Sequence, residues 1–295
     1  MMSGIYKHIK SAYKRARGLQ RPGKTLDIYP DDVFLVSFPK SGNTWTRFLI
    51  ANLRFPNEPA TFENINRLLP DPTATPKRTF ESMPRPRIIK SHECFEPRYP
   101  RVINIIRDPR DVVVSQYKYH QKIRKIEVDS PIEKFVTRFL NGETCPHGSW
   151  GQNIATWLYT SEGSPRYLQL RYEDLIADTP RELEKVAKFL NLPVSPDLLA
   201  QAVERSSADK MRNMEKQQDH GLYRGSRKDM TFVRAAGSGG WHKDLPMEQA
   251  ARIESAWGPL MHHLGYDLET ITPQEAGEYA AFGTANFTAT DNVPR

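Results

Sequence analysis

Lys40, Ser41, Gly42, Asn43 and Thr44 follow one another directly, with Pro39 before them and Trp45 after. An ammonium, two hydroxyls, an amide and a residue without a side chain make the parts of an anion cradle. Lysine and hydroxyls give charge-assisted hydrogen bonds to phosphate oxygens, and glycine lets backbone N–H groups come close. Upstream, Val33 to Phe38 is β-branched and aromatic, as a buried parallel strand is. Downstream, Trp45, Phe48, Leu49 and Leu53 recur on one face of an amphipathic helix. Strand, tight turn and helix N-terminus put partial positive charge where a phosphate would sit. The order is not that of the nucleoside-triphosphate loop G-x-x-x-x-G-K-[ST], because here the lysine precedes the glycine and no glycine opens the loop.

Three further groups of chemistry-bearing residues each follow a short apolar run. Lys90-Ser91-His92 comes first; an imidazole with an ordinary pKa near 6.5 suits a general base at neutral pH. Arg107-Asp108-Pro109-Arg110-Asp111 leads to Ser115. Asp108 with Pro109 reads as a helix cap, and Asp111 three residues on completes a capping-box-like start. Arg107 and Ser115 are left over by that reading, and a guanidinium with a hydroxyl suits a terminal phosphate. Tyr172-Glu173-Asp174-Leu175 is the third group, its two acids read as solvated or capping. Cys94 and Cys145, the two cysteines, have no metal-binding spacing and point to a reducing compartment.

Pro39-Lys-Ser-Gly-Asn-Thr-Trp45 resembles the 5′-phosphosulfate loop of the sulfotransferases that use 3′-phosphoadenosine 5′-phosphosulfate (PAPS), with Asn43 where a threonine is usual. Lys90-Ser91-His92 is similar to the K-T-H segment of the same family, and Arg107 to Ser115 to its 3′-phosphate motif. Tyr172 stands where the family has an adenine-contacting tyrosine. Gly148-Ser149-Trp150 and Trp157 match another of its segments. Ser206 to Met211 aligns with an adenine segment whose stacking phenylalanine is Ala208 here. Phe232 to Trp241 resembles the loop F-V-R-K-G-x-x-G-D-W that closes over the nucleotide, with Ala235, Ala236 and Gly240 as departures. The resemblance spans roughly residues 30–265.

It implies a P-loop-like sulfotransferase domain and in-line transfer of a sulfuryl group from PAPS, without a metal, to a hydroxyl or amine of a small-molecule or glycan acceptor. The implied catalytic residues are His92 as base, Lys40, Lys90 and Ser115, with Ser115 restraining Lys40. The implied donor contacts are Lys40, Ser41, Gly42, Asn43, Thr44, Trp45, Arg107, Ser115, Tyr172, Ser207, Met211, Phe232 and Arg234. Two other readings stay open: a P-loop kinase using ATP and Mg²⁺, and a non-catalytic nucleotide- or glycan-binding module of the same fold. The family's dimer motif, K-x-x-x-T-V-x-x-x-E, is not matched around Lys243 to Arg252, which leaves the oligomeric state open.

The elements that must position these residues follow from periodicity. Strands are expected at Val33–Ser37, Arg87–Lys90, Val102–Ile106 and Tyr167–Arg171. Helices are expected near 43–55, 110–122, 131–141, 149–162, 179–191, 196–205 and 247–264. Strands alternating with helices predict an α/β fold, a single domain with a central parallel sheet flanked by helices. Ligands then bind at the carboxyl ends of the strands. Segments 56–86 and 206–245 read as long loops over that edge, and acceptor selection would reside in the loops 56–86, 123–148 and 210–230.

Of 295 residues, 26% are charged and 38% hydrophobic, as in a soluble globular protein. Residues 1–24 carry seven Lys or Arg and no acid, so the net charge of +7 belongs to a basic arm and the rest is formally neutral. Nucleic-acid binding is therefore not expected. Ile5, Ile9, Ala12, Tyr13 and Ala16 recur at helical spacing in the arm, which could touch an anionic membrane surface. The arm has no apolar run of the secretory kind, and no stretch approaches the ~20 apolar residues that span a bilayer. The expected organisation is a basic arm at 1–24, a sulfotransferase-like domain at 25–268 and a loosely packed tail at 269–295, in the cytoplasm.

Overall fold

The computed structural model describes residues 26–217, 226–227, 229–231 and 237–271. Four strands, β1 (Val33–Ser37), β2 (Ile88–Ser91), β3 (Arg101–Ile106) and β4 (Tyr167–Arg171), form one sheet in the order β2-β1-β3-β4. All three pairings are parallel, with Val33 opposite both Ile88 and Arg101, and Val102 opposite Tyr167. Every residue of β1 is buried, as a strand covered on both faces must be.

Twelve helices accompany the strands among the described residues: α1 (Asn43–Arg54), α2 (Ile65–Leu68), α3 (Lys77–Glu81), α4 (Pro109–Lys122), α5 (Ile132–Leu140), α6 (Trp150–Ser161), α7 (Tyr172–Ala177), α8 (Thr179–Leu190), α9 (Pro196–Arg205), α10 (Ala208–Gln217), α11 (Trp241–Asp244) and α12 (Met247–His263). The strand and long-helix expectations hold to within one or two residues. The two segments read as loops differ: 56–86 contains α2 and α3, and 206–245 contains α10 and α11. α2, α3 and α11 are only four or five residues long, too short for a 3.6-residue period to register. α10 is almost entirely polar and buries one residue, Met211.

Three buried clusters cover the sheet among the described residues, one of them formed by Phe34, Val36, Ile89 and Val102 with Phe80 of α3 and Trp157 of α6. Val33, Leu35, Ile103, Ile105 and Leu170 pack with Phe48, Leu49 and Leu53 of α1 and with Leu183 and Val186 of α8. Phe38 and Ile106, at the strand ends, pack instead with Val112 to Val114 of α4, Phe135 and Phe139 of α5, Trp150 of α6 and Ile253 of α12. The helix after β1 thus lies on one face and the helix after β3 on the other. Their divergence opens a crevice between the carboxyl ends of two adjacent strands, the place where α/β sheets bind ligands.

Residues 269 and 270 are tied to α12. Glu254 accepts hydrogen bonds from the backbone of Glu269 at 3.1 Å and of Thr270 at 2.8 Å. Residues 272–295 and the basic arm 1–24 lie outside the described residues.

Candidate active site

A cavity of about 720 Å³ occupies that crevice. Its floor is the turn from β1 into α1. Lys40 and Gly42 both have left-handed backbones, with φ of 76° and 95°. Gly42 has a second reason to lack a side chain, since a Cβ there would stand 2.4 Å from Cδ2 of Tyr172. Gly42 is also the N-cap of α1, which has no side-chain cap and no acid in its first turn. Its first N–H groups are therefore available to an anion, with the helix dipole behind them. Ser41 Oγ is buried with no hydrogen-bond partner among the described residues, and so is Arg107 Nε. Buried polar atoms are normally paired, so these two orphans beside an open helix N-terminus fit a missing anionic ligand.

Arg107 closes one side. Its guanidinium lies over the Tyr172 ring, 4.3 Å from the centroid, and donates to Lys40 O at 3.3 Å and Gly237 O at 3.2 Å. It also pairs with Asp111 at 3.5 Å. Asp111 does not complete a capping box: its carboxylate accepts from Gly239 N at 2.9 Å and Trp241 N at 3.0 Å, holding the 237–241 turn against the cavity. Capping falls to Asp108 alone, which accepts from Arg110 N at 2.8 Å. Glu173 is not solvated either. It accepts from Asp108 N and from the Tyr266 hydroxyl, both at 3.1 Å, and burial pushes its carboxyl above the usual range.

His92 lies in the wall opposite. Its Nδ1 is 2.7 Å from Ser37 O, and a carbonyl only accepts, so Nδ1 carries the proton. Nε2 is left with the lone pair. Partial burial, then the positive charge of Lys90, lowers its pKa to about 3, so the ring is neutral at physiological pH. Asn43 couples this histidine to the phosphate loop. Its amide donates to Leu35 O and Ser37 Oγ, both at 3.2 Å, and Ser37 Oγ stands 3.4 Å from His92 Nδ1. Asn153 of α6 adds a hydrogen bond to His92 O at 3.1 Å.

Lys40, Gly42, Asn43, Thr44, Trp45, Lys90, His92, Arg107, Ser115, Tyr172 and Met211 all line the one cavity. Trp45 meets Tyr172 edge-on and anchors to Ser206 O at 2.9 Å, which brings the start of α10 to the site. Ser41 and Ser207 do not line the cavity; Ser41 is fully buried within the loop, and Ser207 caps the approach to α10. Phe232, Arg234, Ala235 and Ala236 lie outside the described residues. Tyr119 was not foreseen. Its ring sits 4.6 Å from Lys40 Nζ, a cation–π contact. Its position four residues beyond Ser115, on the same helix face, is the signal that could have found it. Asp71, paired with Lys90 at 2.7 Å, carried no such signal. Among the described residues no group of three His, Cys, Asp or Glu side chains could hold a metal ion, and no helix is long and apolar enough to cross a membrane.

Residues 30–265 match the family model of the sulfotransferase domain. The chain belongs to the sulfotransferase family. It is 24% identical over 244 residues to an amine sulfotransferase of Oryctolagus cuniculus, covering 78% of this chain and 80% of the relative. Cytosolic sulfotransferase 12 of Arabidopsis thaliana is 27% identical over 253 residues, with 78% and 77% covered. Two solved structures share the fold. A mouse sulfotransferase, SULT7A1, complexed with PAP superposes with a TM-score of 0.65 at 20% identity, covering 90% of this sulfotransferase and 94% of that chain. Retinol dehydratase with androsterone and the inactive cofactor PAP gives 0.64 at 19%, covering 84% of each.

Proposed function

We propose that this sulfotransferase transfers a sulfuryl group from PAPS to a hydroxyl or amine of a small-molecule acceptor, with His92 as general base. The observation that carries the reading is the tautomer of His92. The proton on Nδ1 is committed to Ser37 O, so Nε2 keeps the lone pair, and His92 lines the cavity that the phosphate loop also lines. Support for the donor comes from the Gly42 cradle, the two orphaned donors and the PAP named in the complexes of both structural neighbours.

The loop Lys40–Trp45 would hold the 5′-phosphosulfate, with Ser41 acting from within it. Arg107 and Ser115 would hold the 3′-phosphate. Trp45, Tyr172, Met211 and the start of α10 near Ser207 would flank the adenine, and Phe232 and Arg234 would complete the enclosure. When bound, the donor supplies an activated sulfuryl group whose S–O bond to the 5′-phosphate breaks as the acceptor's oxygen or nitrogen bonds to sulfur. His92 Nε2 takes the acceptor's proton. Lys40 stabilises the negative charge developing on the departing bridging oxygen, an ammonium already fixed at the site. Lys90 polarises the group in transfer. Tyr119, rather than Ser115 alone, restrains Lys40 through its ring. The names of the relatives and the ligands of retinol dehydratase favour small amines and apolar alcohols as acceptors.

Isothermal titration with adenosine 3′,5′-bisphosphate, set against ATP with Mg²⁺, tests the reading. Tight metal-free binding of the bisphosphate is expected. Preference for ATP–Mg²⁺ would replace it with a kinase, and bisphosphate binding without transfer from PAPS to any phenol, alcohol or amine would favour a binding module.

A further inference from the structure

Lys90 lines the cavity from β2, an edge strand, and an edge strand offers an unpaired row of backbone groups. Lys90 N donates to Pro70 O at 2.9 Å, so the 69–75 turn runs along that edge. The next residue is Asp71, and its side chain reaches the ammonium of the same lysine, Oδ2 to Nζ at 2.7 Å. Its other oxygen is occupied separately. Oδ1 accepts from Thr73 N at 2.8 Å and Thr73 Oγ at 2.7 Å, while Asp71 O accepts from Thr75 N at 2.8 Å. The carboxylate is thus fixed within its own turn, and only Oδ2 faces the lysine.

The turn is fixed in its place as well. Arg47, buried in α1, donates to Asn66 Oδ1 at 2.8 Å and to the carbonyls of Ile65 and Leu69 just upstream. Burial raises the Asp71 carboxyl, but Lys90 and Arg47 more than offset it and hold the group well below the usual carboxylate range. It stays ionised wherever the enzyme works. From these contacts we infer that Asp71 is a positioning residue, which anchors the Lys90 ammonium by one N–H so that its remaining donors point at the sulfuryl group of the donor.

This inference rests on the proposed phosphosulfate reading. It differs from a plain stabilising ion pair in what it controls. A lysine has four rotatable bonds, and an unanchored ammonium would spread over many positions. Anchoring it serves the sulfuryl end of the donor, not the adenosine end. The bisphosphate lacks the sulfuryl group, so the quantity to read is the ratio of its dissociation constant to that of PAPS, both measured by titration of the full chain without acceptor.

Asp71→Asn is expected to lower this ratio by about tenfold, the usual effect of losing one charge-assisted contact, while bisphosphate affinity stays within about twofold. Lys90→Gln should lower it as much, and the double variant no further, because the two residues act through one contact. Asp71→Glu, which keeps the charge on a longer stem, should recover part of the ratio, and serves in place of Asp71→Asn if that variant does not fold. An unchanged ratio with a lowered unfolding midpoint would make Asp71 structural and overturn the inference alone. Wild-type protein that binds neither nucleotide would overturn the phosphosulfate reading, and the inference with it.

Discussion

At the scale of single residues the site separates chemistry from support. His92 has a lone pair on Nε2 because Ser37 O holds its proton on Nδ1, while burial and Lys90 make the ring a weaker proton acceptor than a solvated imidazole. Replacing His92 with alanine should lower turnover of PAPS by about 10²–10⁴-fold, the usual worth of a general base. Bisphosphate affinity should stay within about twofold, and equal loss of both would remove His92 from the chemistry. The low pKa has a second consequence. A base that protonates only near pH 3 puts no acid limb at the ordinary histidine pKa, so kcat/KM should stay level from pH 8 to 6. A limb centred near 6.5 would show a solvated imidazole. The lysine, the histidine and the arginine were legible because each follows a strand. Their orientation was not, since a sequence does not say which ring nitrogen meets a carbonyl 55 residues away.

Elements explain what single residues cannot. β1, β3 and the helices after them were readable because continuous apolar runs and amphipathic helices are local patterns. α4 shows the limit. Asp108 and Asp111 look equivalent in sequence, yet only the first caps the helix. The second reaches 128 and 130 residues along the chain to Gly239 and Trp241. Local rules cannot anticipate a partner at that distance, and Asp71 was missed for the same reason. Asp111→Ala should release Gly239 N and Trp241 N from α4, while Arg107 keeps its bond to Gly237 O. Bisphosphate binding should weaken by about tenfold, chiefly through faster dissociation, because the turn closes one side of the cavity and affinity differences lie mostly in the off-rate. Stopped-flow displacement would check it, and an unchanged off-rate would mean the turn does not cover the ligand. Whole-chain stability should change less than with Arg110→Ala, which leaves Asp108 and Glu254 without the guanidinium they share in the interior.

The whole molecule adds a constraint that no element shows. Among the described residues two histidines are kept neutral: His92, and His120 near the end of α4, whose ring meets Phe135 edge-on. Burial first, then Lys125 and Arg138 and more weakly Lys40, lower the His120 pKa to about 4. In the unfolded chain both titrate near 6.5, so below that pH the unfolded state binds more protons than the folded one. Stability should therefore fall as pH drops from about 6.5 towards 4, with His242, whose pKa is raised by Gly239 O and Glu269, working against the fall. Glu173 and Asp108, with carboxyls raised by burial, act in the opposite sense. They retain protons in the fold at a pH where the unfolded chain has released them, and so soften the fall. His120 alone should account for about 2 kcal/mol between pH 7 and 5, because its pKa falls from 6.5 to about 4 on folding. His120→Gln removes that titration while keeping a polar side chain of similar length. Urea unfolding at the two pH values should show the variant losing about 2 kcal/mol less than the wild type on acidification. Equal losses would show that His120 protonates as readily in the fold as out of it, and that the packing of α4 against α5 is open enough to admit the charge.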